Sequence, residues 1–177
     1  MPEGWRERIE AHRRSKDEAF ADAARSPLAP DARASFDGLD YYPPDPAFRY
    51  VLRLDEFDDP ETVVVETTAD RAREYLAVGE FRFTVGGRDA VLRAYREDRE
   101  GDDLWLPFRA ATSGAETYGG GRYLDLDAGA RRREDGRWIV DVNLAYSPVC
   151  AHSEGYECPL VPPSNWLDVR IEAGERF

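Results

Sequence analysis

EFRFTVGGRDAVLRAY, residues 80–95, is the stretch that decides the fold. Phe81, Phe83 and Val85 alternate with Glu80, Arg82 and Thr84, a period of two that sends one set of side chains to each face of an extended chain. Gly86 and Gly87 take positive φ at no steric cost, so the two halves are expected to close as a tight hairpin.

The same period spreads to both sides. Phe48, Tyr50, Leu52 and Leu54 alternate with Arg49, Val51 and Arg53, and TVVVETT follows at 62–68. Strands are expected near 48–54, 62–68, 80–85, 89–95, 104–108, 122–126, 137–142 and 166–171. The segments between them are short or polar, and strand–helix–strand alternation is lacking. Residues 5–25 differ: Trp5, Ile9, His12, Lys16 and Phe20 recur at helical spacing, and Pro27 stops the pattern. The apolar stripe is thin, so this helix should lie outside the fold and dock through Trp5, Ile9 and Phe20. The fold class is mostly β, an antiparallel barrel or sandwich with one N-terminal α-helix. The 177 residues fit one domain, with helix and connector in 1–30 and the β-rich part in 31–177.

Lys and Arg number 24 against 36 Asp and Glu, a net charge of −12, and Lys16 is the only lysine. In roughly molar salt the Debye length shrinks to about 3 Å, so such self-repulsion is screened; the composition fits a highly saline cytosol. An acidic protein from a GC-rich genome, with Arg in place of Lys for coding reasons, would share it. The charge argues against nucleic-acid binding, and Arg131-Arg132-Arg133, followed by Glu134 and Asp135, reads as a solvated hairpin loop. The start lacks the apolar core of a signal peptide and apolar runs of membrane length are missing, so a cytoplasmic protein is expected, with no membrane partner.

Three segments are too irregular for ordinary strand or loop: TSGAETYGGGRYLDL (112–126), DVNLAYSPVCAHSEGYECPLVPPSNWL (141–167) and the end, IEAGERF. Their motifs are Thr117-Tyr118-Gly119, Gly121-Arg122-Tyr123-Leu124, then Asp141, Asn143, Ala145, Tyr146, Pro148, Cys150 and Ala151. Cys158-Pro159-Leu160, Pro162-Pro163, Asn165, Leu167 and Ala173-Gly174-Glu175 follow. From about residue 26 onward this chain resembles domain-of-unknown-function family 1684, found in bacteria and archaea. It departs from that family's pattern at His152, where an aromatic is usual, at Val142 in place of Phe, and at Ala110 in place of Asp. The resemblance implies a family and no activity.

CAHSEGYEC, 150–158, holds both cysteines and one of the two histidines. A zinc site on Cys150, His152 and Cys158 lacks a fourth donor and a standard spacing. A Cys–His nucleophile is equally short of a partner, since His12 sits on the N-terminal helix. A structural cysteine pair is expected instead, either a disulfide across a short loop containing Gly155 or two packed thiols. That loop, 148–163, should fold over the sheet close to Tyr118 and Arg122, burying Tyr156 and Leu160, with His152 turned to solvent or a pocket mouth.

If GGGRYL and DVN are neighbouring strands, Arg122 meets Asp141, either as a buried pair that pins the loop or as part of a pocket. The candidate ligand-binding set is Tyr118, Arg122, Asp141, Asn143, Tyr146 and Asn165, for a small polar or anionic molecule. The alternatives are a hydrolase-type enzyme using Asp141 as acid–base group, and a structural or partner-binding role. No cofactor is expected: GGG fits neither nucleotide-loop pattern, and TSG at 112–114 lacks the nucleophile elbow of serine hydrolases.

Overall fold

The computed structural model describes residues 1–97 and 99–177. Helix α1, Trp5–Ala21, leads into a short helix α2, Pro30–Ala34. Seven strands follow: β1 Arg49–Leu52, β2 Asp55–Glu66, β3 Ala72–Val85, β4 Arg88–Arg96, β5 Leu104–Phe108, β6 Arg122–Leu126 and β7 Trp138–Asp141, with one helical turn, α3 Ala128–Arg131, between the last two. The strands form an open antiparallel meander in the order β2-β3-β4-β5-β6 and a separate two-stranded sheet, β1-β7. The architecture is mostly β with an N-terminal helix, as the alternation implies, and the sheets do not close.

The hairpin at 80–95 forms as read: Val85 pairs with Arg88, and Gly86 and Gly87 have φ of 56° and 80°. Phe81, Phe83, Leu92, Leu106, Phe108 and Leu124 bury one face of the meander against Trp138 and Val140 of β7 and Val169 and Ile171 of the tail. Full burial of each such side chain stabilises the fold by roughly 1.5–3 kcal/mol. The opposite face carries a smaller cluster in which Tyr75 stacks on Trp105 at 4.6 Å.

Strand β3 begins at Ala72, eight residues before the alternation at 80–85, and three further elements differ from the sequence reading, each for a local reason. Helix α1 stops at Ala21, well before Pro27, because the Asp22 side chain accepts the Ala24 N–H and offers the backbone a turn in place of a further helical bond. Strand β2 begins at Asp55, seven residues earlier than the apolar run. Its acids and Pro60 are tolerated because it is an edge strand, interrupted by a register shift between Glu56 and Glu61.

The third difference is at 166–171, which is not a strand. Its alternation is real, with Val169 and Ile171 buried and Asp168 and Arg170 exposed. It runs parallel to 109–111 through only three backbone bonds. Beyond that point a side chain takes its carbonyls: the Arg122 guanidinium donates to the oxygens of Ile171, Ala173 and Glu175. Alternate carbonyls of an extended segment lie on one edge, so one buried arginine stands where a neighbouring strand would otherwise be.

Candidate functional site

Arg122 does not meet Asp141, which corrects the expected pair: β6 lies in the meander and β7 in the two-stranded sheet. Arg122 is 1% exposed, lies over the Phe108 ring, and its pKa is pushed down to about 10 by burial, so it remains a cation at neutral pH. The glycines before it serve close approach by the chain itself. A side chain at Gly121, where φ is 98°, would strike the Phe108 carbonyl and Val161.

Asn143 and Asn165 act as peptide mimics. The Asn143 amide accepts from Asp45 N and donates to Asp45 O and Asp141 Oδ1, all at 2.8–2.9 Å. The Asn165 amide does the same to Arg93 N and O and reaches Pro107 O as well. Tyr118 packs its ring on Phe177, and the Tyr146 hydroxyl donates to Asp125. Glu175 is buried between Lys16 and the Ser147 N–H. Of the six candidate residues, Arg122, Asn143 and Asn165 therefore have their polar groups committed to the backbone.

Cys150 and Cys158 are joined as a disulfide. The loop around them is fastened to the β2–β3 turn: Thr68 N donates to Cys158 O, and Leu160 N donates to Glu66 O. It touches β6 where the Tyr123 hydroxyl donates to Pro159 O. Tyr156 and Leu160 stay about half exposed, contrary to expectation, because the disulfide and backbone bonds hold the loop in place of a buried apolar face. His152 turns inward, also contrary to expectation. Its ring sits 5.3 Å from Phe20 and 5.9 Å from Phe177, the packing an aromatic would make, and burial lowers its pKa. Among the described residues, His, Cys, Asp and Glu side chains do not group into a metal site.

Asp141, Asn143 and Tyr146 converge beneath α1, where two crevices share His12 and Leu144. The larger, about 430 Å³, is lined by Trp5, Arg8, Arg49, Arg131 and Asp141; the smaller, about 230 Å³, by Arg13, Lys16, Tyr41, Asn143, Tyr146 and Glu175. Asp141 forms the floor of the larger one, 2% exposed. It accepts from Trp5 Nε1 at 2.6 Å and from Asn143 N and Nδ2, with Arg49 Nε at 3.9 Å.

Arg8, Arg49, Arg131 and His12 escaped the sequence reading. The arginine run containing Arg131 reads as a solvated loop. Arg131 instead ends α3, a turn capped by Asp127, and is half-buried with no hydrogen-bond or carboxylate partner for its side chain among the described residues. The only available signal was the arginine run itself. The pKa of His12 is lowered, first by burial and then by Lys16 and Arg131, with Glu175 opposing, which marks a cationic neighbourhood on an acidic protein. A larger groove of about 460 Å³ lies elsewhere, beside Trp105 and four acids; Asp103, Asp125 and Asp127 there already accept bonds from the chain.

Fold and site together define an open antiparallel β protein whose N-terminal helix roofs a basic crevice. The chain belongs to the family described as protein of unknown function DUF1684, whose model matches residues 34–176. It is similar to an uncharacterised protein of Haloarcula marismortui, solved by solution NMR, with 41% identity, a TM-score of 0.74, and coverage of 99% of this chain and 95% of that one. No curated protein matches it. Helices long and apolar enough to cross a membrane are absent among the described residues.

Proposed function

We propose that this protein is a binding module for a small anionic molecule, held in the larger crevice beneath α1. One observation carries the reading: Arg8, Arg49 and the unpartnered Arg131, from three separate elements, line one crevice on a chain whose net charge is −12. A half-buried guanidinium without a partner is costly, and an oxyanion offers it charge-assisted bonds. The expected small polar or anionic ligand keeps Asp141 at its site and loses Arg122, Asn165 and Tyr118 as contacts.

The hydrolase alternative finds less support. Both Asp141 oxygens already accept hydrogen bonds from Trp5 and Asn143, which hold the carboxyl group in place within the chain instead of aiming it at a substrate. Native mass spectrometry of protein purified from its host tests the binding reading. A retained low-mass anion is expected, with affinity weakened about ten-fold or more in Arg131→Gln, the loss of one hydrogen bond to a charged group. Protein that carries no anion and gains no thermal stability from inorganic sulfate, at constant chloride, would contradict it.

A further inference from the structure

We infer that the crevice beneath α1 takes a compact dianion, and that His12, standing where the two crevices meet, engages it as an imidazolium. The inference rests on the anion-binding reading and gives it a ligand class. Arg49 lies 3.9 Å from Asp141, Arg8 is exposed and gives one N–H to the Glu3 carbonyl, and Arg131 has no side-chain partner among the described residues, so roughly two positive charges at this crevice lack a carboxylate. A monoanion would satisfy the half-buried Arg131 and leave the charge of the exposed Arg8 unmatched at the crevice mouth. A dianionic oxoanion matches the balance and presents several oxygens to forked donors.

His12 is exposed and lines both crevices, so it reaches a ligand in the larger one without movement of α1. The charged groups around it are Arg8, Arg13 and Lys16 on its own helix, Arg49 on β1, Asp141 at the end of β7, Arg131 on α3 and Glu175 in the tail. The Glu175 carboxylate is itself held by Lys16 and Ser147 N, so partial desolvation, followed by repulsion from Lys16 and Arg131, keeps the imidazole pKa below its ordinary value. A dianion beside Arg131 reverses that field and draws a proton onto the imidazole. Binding is then linked to proton uptake: affinity climbs as pH falls through the ligand-bound titration of His12 and levels off below the ligand-free one.

Inorganic sulfate is the probe, since it stays dianionic across this range. The chain has only two histidines, so imidazole NMR of the intact protein at constant chloride follows His12 with the caged His152 as internal reference. Sulfate is expected to raise the His12 midpoint by about one unit, equivalent to about ten-fold tighter binding at the acid end, and to leave His152 unmoved. His12→Gln should still bind sulfate, with the pH dependence flattened. Saturable binding that is lost in Arg131→Gln yet leaves the His12 midpoint in place overturns this inference and leaves the anion-binding reading standing. Absence of saturable sulfate binding removes both.

Discussion

The indole Nε1–H of Trp5 donates to Oδ2 of Asp141 at 2.6 Å, joining the first turn of α1 to the end of β7 across 136 residues of sequence. Both partners are buried, at 5% and 2% exposure, so the bond fixes where the helix lies and thereby shapes the crevice below it.

Trp5→Phe keeps most of the apolar body and removes the donor. The buried carboxylate is left one partner short, which costs about 1–3 kcal/mol. Chemical denaturation should show that loss, and hydrogen exchange should show α1 opening faster than the meander strands.

Asn165→Ala should separate a structural role from a ligand-binding one. The side chain is fully buried and completes the backbone bonding of Arg93 and Pro107, so about 1–3 kcal/mol of stability should disappear for each group left unpaired. Sulfate affinity of the folded variant should match the parent, because Asn165 lines neither crevice.

The disulfide gives a chemical prediction. Alkylation of unreduced protein under denaturing conditions should label neither cysteine, and labelling should be complete after reduction. Cys150→Ser/Cys158→Ser should lower stability by about 2–3 kcal/mol, the loop-closure contribution expected for so short a loop.

His152 should make the fold acid-sensitive. Its folded pKa lies below the ordinary imidazole value, so the unfolded chain takes up its proton first as pH falls. Stability drops through the window between the ordinary and the folded pKa, the full loss being reached below the latter. His152→Phe keeps the packing on Phe20 and Phe177 and should remove that part of the slope in urea titrations between pH 7.5 and 5. An identical slope in both proteins would place the acid sensitivity elsewhere.

Alternation along 80–95 determined the central hairpin, because the pleat itself has a period of two and Gly86-Gly87 closes it locally. The docking stripe Trp5, Ile9 and Phe20 was equally legible, since a 3.6-residue repeat depends only on neighbours along one helix. A separation of eight positions between Cys150 and Cys158 made their closeness readable while leaving the bond itself open. Tertiary structure alone decided the partners of polar groups. Arg122 was expected at Asp141 and reaches the carbonyls of Ile171, Ala173 and Glu175; Asp141 receives Trp5 and Asn143. Arg8, Arg49 and Arg131 share a crevice only because the fold brings α1, β1 and α3 together around Asp141. Hydrophobic order is written in short periods that a chain reads locally, whereas a buried charge takes whichever donor or carbonyl the packing of distant elements brings within about 3 Å.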